Sequence, residues 1–313
     1  MNSSIYEKIS YADSLYGVKK DGLFLKFIQN QGEDICFEAI KNNPRALKYA
    51  HYQNEAMCLQ AVSKCGDLLQ YVQHRTARIC IAALKNEGLA IRYIEAPTLE
   101  MCITAVQQNG FALKYIRQQT HELCKLAVKN NPYSIRYVQD KTEEICLMAV
   151  KQDGKTLQYI YRQTARVCEQ AIKSNVEAIR YIHQPSITTL KYAINKRPYV
   201  IQYIGTEHED LWKYAIRKNT SVIKFLKNLH ESLLIYAIRL NPTSIKYIQD
   251  PPEYLCKLAI SLDYESIAFL KQPSESICLF ALSKSKYAIQ FIKNNYLNEN
   301  IKNQYVGMYG GGI

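Results

Sequence analysis

Residues 142–163 read Thr142-Glu143-Glu144-Ile145-Cys146-Leu147-Met148-Ala149-Val150-Lys151-Gln152-Asp153-Gly154-Lys155-Thr156-Leu157-Gln158-Tyr159-Ile160-Tyr161-Arg162-Gln163. Apolar side chains fall at Ile145, Cys146, Ala149 and Val150, the i, i+1, i+4, i+5 spacing of one helical face. Thr142 precedes them, where a hydroxyl accepts from the free N–H groups of a helix start. Glu143 and Glu144 follow in the first turn, where the helix dipole favours acids. Gly154 marks a stop, and Leu157, Tyr159 and Ile160 supply the apolar positions of a second, shorter helix. The stretch therefore predicts two helices, A and B, within 22 residues.

Outward from Cys146 the pattern repeats. Steps of 22 residues from Cys36 reach Cys58, Cys80, Cys102, Cys124, Cys146, Cys168, Leu190, Trp212, Leu234, Cys256 and Cys278, twelve repeats without an insertion. Three residues on stands an unbroken alanine column from Ala39 to Ala281, and thirteen on an aromatic column from Tyr49 to Phe291. Helical spacing makes those rings the expected largest contributors to the core. Eight residues after the Cys position stand Gly66, Gly88, Gly110 and Gly154, or Pro44, Pro132, Pro198 and Pro242, as suits a helix end followed by a helix start. The fold class expected is all-α, an α-solenoid of about twelve 22-residue two-helix repeats. Ser14, Gly17, Val18, Gly22, Leu25, Phe27 and Ile28 continue the pattern weakly, so residues 1–31 are expected as an N-terminal cap with a degenerate repeat, 32–292 as the solenoid, and 293–313 as a polar, Gly-rich, mobile C-terminal tail. A leucine-rich-repeat-like horseshoe is the alternative, because the repeat length fits and Leu157-Gln158-Tyr159 alternates like a strand. Against it, no regular Asn or Cys column follows that segment, and its residues are good helix formers.

The run from Glu144 to Tyr159, and Glu122-Leu123-Cys124-Lys125-Leu126-Ala127-Val128-Lys129-Asn130-Asn131 before it, resembles a family of short helical repeats catalogued as domain of unknown function 4116, seen in amoeba-infecting giant viruses, protists and some bacteria. The resemblance covers about residues 14–292 and departs in the shortness of helix B. It implies an α-solenoid of unassigned biochemical role. The Ile-, Asn-, Lys- and Tyr-rich composition is in keeping with a giant virus, which would place the protein in the host cytoplasm or the virion.

A chain of 313 residues with 48% hydrophobic and 22% charged residues can bury a core. The start, Met1-Asn2-Ser3-Ser4-Ile5-Tyr6-Glu7-Lys8, lacks the apolar stretch of a signal peptide, and no segment approaches the roughly 18 apolar residues of a membrane span, so an intracellular, cytoplasmic protein without membrane insertion is expected. Nine of the ten cysteines share one repeat column. Helices packed about 8–10 Å apart hold such residues beyond the roughly 7 Å Cα limit of a disulfide, so reduced, buried thiols are expected. The absence of CxxC or HxxxH pairs gives no metal site, and the scattered histidines and uninterrupted period give no catalytic residue, no cofactor and no enzyme.

Forty Lys and Arg against 28 Asp and Glu leave a charge of +12, which admits nucleic acid, an acidic membrane surface or an acidic protein as partner. The position before each aromatic carries Lys48, Arg92, Lys114, Arg136, Arg180, Lys224 and Lys246 and no acid, a candidate nucleic-acid ladder with one rung per repeat. A second acid-free column holds Lys41, Lys85, Lys129, Lys151, Lys173, Arg217 and Arg239, where the last turn of helix A favours cations. Tyr192, Tyr214 and Tyr236, in register beside Trp212, form a candidate protein-binding strip, because Tyr and Trp anchor interfaces. The function expected is a non-enzymatic repeat scaffold mediating protein–protein interaction along an extended face. The alternative is a sequence-tolerant RNA- or DNA-binding solenoid.

Overall fold

The computed structural model describes residues 10–205, 208–226 and 230–310. The stretch Met1 to Lys8 and Gly311-Gly312 of the tail lie outside the described residues. The described residues gather into two compact bodies, one up to Asn175 and one from Val176 onward. Each is a stretch of α-solenoid, and no strand occurs among the described residues, so the horseshoe alternative is overturned.

In the Thr142 repeat the A helix is Glu143–Gln152, ten residues of α-helix, and the B helix is Gly154–Tyr159, six residues of 3-10 helix. The same pair recurs throughout, and the cap forms one too, Tyr11–Lys20 followed by Gly22–Phe27. At a rise of about 2.0 Å per residue, six residues of 3-10 helix span about 12 Å, against about 9 Å for an α-helix of that length. The tighter helix thus covers most of the roughly 15 Å of its A helix with few residues.

Both helix starts are capped. Thr142 Oγ1 accepts from the Ile145 N–H at 3.5 Å, and Thr76, Thr98, Thr120, Thr164, Ser186 and Ser274 cap their A helices in the same way. Between the helices a polar residue ends one and begins the other: the Asp153 N–H donates to Ala149, and Asp153 Oδ1 accepts from the Lys155 N–H at 2.9 Å. Asn43, Asn109, Asn131, Asn219, Asn241 and Asp263 repeat that turn.

The Cys and Ala columns, with the residues beside them, form the buried face of the A helices: Ile145, Cys146, Ala149 and Val150 are 0–2% exposed. The B helices bury two neighbouring residues, such as Ala112 with Leu113 or Thr156 with Leu157. The aromatic column is not the core it was expected to be. Its rings lie half-exposed, and Tyr115, Tyr203 and Phe269 reach 37%, 41% and 39% exposure.

Neighbouring repeats are joined at two points. Gly22, Gly66, Gly88, Gly110 and Gly154 donate their N–H to Asn42, Asn86, Gln108, Asn130 and Ser174 of the next A helix at 2.7–3.2 Å. A Cβ on any of these glycines would lie 2.2–2.4 Å from the carbonyl oxygen of the next repeat's alanine. Where proline replaces glycine the facing residue is Lys64, Gln152, Lys218 or Leu262, and successive A helices meet over less of their length. On the opposite edge, glutamines stitch the loops. Gln31 Nε2 donates to the Leu25, Ile28 and Tyr49 carbonyls at 3.0–3.1 Å, while its Oε1 accepts from the His51 N–H at 2.8 Å.

The expected mobile tail is in large part ordered. A 3-10 turn, Asn294–Tyr296, leads into the helix Glu299–Tyr309, which buries Ile301 and packs on the A helix Glu275–Lys284. The Tyr296 hydroxyl holds the Lys271 carbonyl at 2.7 Å, and the Tyr309 hydroxyl donates to the Leu282 carbonyl.

Candidate interaction surfaces

Consecutive B helices lie side by side within each body, so residues one repeat apart stand next to one another. The ladder position sits at the exposed end of each B helix, directly before its aromatic. Every one of its seven cations lies over a ring. In the first body, Lys48 is 5.5 Å from the Tyr49 centroid and 5.8 Å from Tyr71, Arg92 is 4.8 Å from Tyr93, and Lys114 is 5.4 Å from Tyr115. Arg136 lies between Tyr137 and Phe111, at 4.6 and 4.9 Å. In the second body, Arg180 faces Tyr181 and Tyr203, Lys224 faces Phe225 and Tyr199, and Lys246 faces Tyr247 and Phe269, at 4.8–5.7 Å.

Each body thus carries its own run of cations alternating with half-exposed rings. The ring quadrupole holds each cation in place while its charge stays toward solvent. Several rings also pair edge to face across repeats: Phe111 with Tyr137 at 6.1 Å, Tyr133 with Tyr159 at 6.2 Å and Tyr199 with Phe225 at 5.8 Å. Among the described residues, Arg92 alone of the seven cations is ion-paired, to Asp67 at 2.6 Å. It also donates to the Tyr93 hydroxyl at 2.8 Å, and the two bonds raise its already high pKa.

The aromatic strip on the A helices of the second body is assembled differently from expectation. Trp212 is 1% exposed and donates its indole N–H to the Gly205 carbonyl at 3.3 Å. Buried, it offers a partner no surface, which corrects its place among the contact residues. Tyr192 is 39% exposed and Tyr214 and Tyr236 are half-buried. Lys196 stands 5.8 Å from the Tyr192 centroid, Arg217 and Lys218 stand 5.9 and 5.5 Å from Tyr214, and the Tyr214 hydroxyl donates to Asn195 Oδ1 at 2.7 Å. Tyrosine and cation therefore share this face as well.

The nine column cysteines are buried free thiols, and burial is the largest cause holding each of them above its ordinary pKa. Cys36, Cys58 and Cys124 donate to Gln31, Gln53 and Gln119 at 3.5–3.6 Å, so the column is tied to the stitching glutamines. Among the described residues no three His, Cys, Asp or Glu side chains converge on a common point, and no helix is long and apolar enough to cross a membrane.

The arrangement defines a repeat protein of the α-solenoid class that displays regularly spaced side chains along its faces. The sequence model described as domain of unknown function (DUF4116) matches residues 33–75, 98–142 and 120–164, so these stretches carry repeats of that family. Each matched stretch covers about two consecutive 22-residue repeats of this chain. No curated protein and no solved structure matches the chain.

Proposed function

We propose that the protein is a non-enzymatic binding scaffold that engages single-stranded nucleic acid along the B-helix faces. The observation that carries this reading is the seating of all seven ladder cations on half-exposed aromatic rings. Phosphates are met by cations, and bases stack on rings and guanidinium planes without regard to sequence, which is the chemistry of non-specific single-strand recognition. The sequence reading puts a protein partner first; the rings it expects in the core lie half-exposed, and Trp212, one of its candidate contacts, is buried. The test is fluorescence anisotropy of a labelled single-stranded RNA and a duplex DNA at several salt concentrations, with a variant carrying Lys48→Glu, Lys114→Glu, Arg136→Glu, Arg180→Glu, Lys224→Glu and Lys246→Glu. The expected result is single-strand binding that weakens steeply with salt and disappears in a variant of unchanged circular dichroism. Silence toward both probes at near-physiological salt would sink the reading.

A second reading, contact with an acidic protein segment, is supported by the Tyr192, Tyr214 and Tyr236 strip with Lys196, Arg217 and Lys218 against its rings. It predicts binding that Tyr192→Ala and Tyr236→Ala weaken and that depends less on salt, because buried rings rather than counterion release supply the affinity.

A further inference from the structure

The loop-stitching glutamines mark a slot that recurs between neighbouring repeats. Gln53 Nε2 reaches the Leu47 and Tyr71 carbonyls at 3.4 and 3.0 Å, and its Oε1 accepts from the Gln73 N–H at 3.1 Å. Gln119 makes the corresponding bonds to Leu113, Ile116, Tyr137 and the Gln139 N–H at 3.0–3.3 Å. Other nitrogen donors use the same place: Arg75 Nε reaches the Leu69 carbonyl at 3.2 Å, and Lys141 Nζ reaches Val138 at 2.8 Å. The slot is thus a built arrangement of backbone acceptors, filled by this chain's own side chains.

In the Cys256 repeat of the second body the stitching position is Pro251, which carries no donor and no acceptor on its side chain. A cleft of about 430 Å³ opens there. It is lined by Ile245, Ile248, Phe269 and Lys271, the residues in register with Leu25, Ile28, Tyr49 and His51 around Gln31. The Cys256 thiol, without a glutamine oxygen to meet, donates to the Pro251 carbonyl at 3.6 Å. On the rim stands Asp250 with φ 47°, the one non-glycine residue at positive φ among the described residues. Such conformations collect at ligand clamps and switch regions.

We propose that this cleft receives the primary carboxamide of a glutamine side chain on a partner polypeptide. The site presents carbonyl acceptors together with one N–H donor, that of Lys271. A carboxamide answers both at once, through its NH₂ and its C=O. A guanidinium or an ammonium has donors only and leaves the Lys271 N–H unmet. The volume exceeds a single side chain and holds the flanking backbone as well. The cleft shares Lys246 and Phe269 with the cation–aromatic face of the second body, and the proposal does not require that face to bind nucleic acid.

The test is a ¹⁵N–¹H NMR titration of the full chain with N-acetylglutamine methylamide, using the norleucine and arginine analogues as comparisons. The Lys271 N–H should shift saturably with the glutamine probe, and both analogues should bind at least tenfold more weakly. Pro251→Gln should abolish the shift by filling the slot from within, and Pro251→Ala should retain it. Equal binding of the glutamine and norleucine probes would overturn the proposal, as would equal binding by the two Pro251 variants. Tighter binding of the arginine probe would overturn the choice of a carboxamide. A Pro251→Gln chain that fails to fold leaves the probe comparison and the Pro251→Ala result to decide.

Discussion

The column thiols respond to pH in a direction fixed by their burial. Burial holds Cys278 up at about 11 and raises the other eight, whereas an unfolded thiol ionises near about 8.5. Their contribution is fully present below the unfolded value and is lost as pH rises through the folded one, so stability should fall between pH of about 8.5 and 11. Urea midpoints across that range test this, and Cys278→Ala should make the decline shallower. At neutral pH a thiol reagent should label half-buried Cys65 in the folded protein long before the nine column cysteines, which react only on unfolding. The outward turn of the aromatic column changes another expectation. Tyr93→Ala should cost less than about 2 kcal/mol in urea unfolding, whereas Leu113→Ala, fully buried, should cost about 2–5 kcal/mol. A residue's helical spacing alone did not reveal this, since the ring ends the B helix and its buried positions are Gly110, Ala112 and Leu113. Ser244 and Ser266 bury hydroxyls that have no partner among the described residues, so Ser244→Ala should leave stability unchanged or raise it by up to about 1 kcal/mol.

At the scale of the elements, the repeat period, the helix starts and the helix boundaries were all legible, because caps and junction residues act within a few positions of the bonds they make. Thr142, for example, lies three residues from the N–H it binds. The joints between repeats were not legible as joints. Gly88 and Gln108 are 20 residues apart, and only the stacked structure shows that the N–H of one meets the side-chain oxygen of the other at 2.7 Å. Once seen, the pairing is written along the chain: glycine goes with Asn, Gln or Ser one repeat on, and proline with Lys, Gln or Leu. The joint predicts an asymmetric mutational response. Gly88→Ala places a methyl 2.4 Å from the Ala105 carbonyl oxygen, so it should lower stability by about 1–3 kcal/mol through overpacking, even though alanine is the better helix former. The half-buried cap Thr142→Ala should cost about 1 kcal/mol. Urea unfolding of both variants checks the order; a Gly88→Ala protein as stable as the parent would mean that the repeats part freely at the joint.

For the whole molecule, binding to a single strand should divide between the two bodies. Each lays out its own cation–aromatic run, with Lys48, Arg92, Lys114 and Arg136 in the first and Arg180, Lys224 and Lys246 in the second. Each phosphate contact contributes a slope of about −0.7 in the logarithm of affinity against the logarithm of salt for a single strand. Arg92 is already neutralised in part by Asp67, so among the described residues the first body offers three ladder cations without an ion pair, the same number as the second. Glutamine at Lys48, Lys114 and Arg136 should therefore flatten the slope by about 2, and so should glutamine at Arg180, Lys224 and Lys246. Arg92→Gln should flatten it by much less than its neighbours do. Removing the rings tests a different contribution: Tyr115→Ala and Tyr203→Ala should weaken affinity by about 1–3 kcal/mol each and leave the slope nearly unchanged, because stacking releases no counterions. Anisotropy titrations at four or more salt concentrations separate the two effects. If the ring variants instead lower the slope and leave affinity at low salt untouched, the aromatics serve only to hold the cations in place and bases do not stack on them.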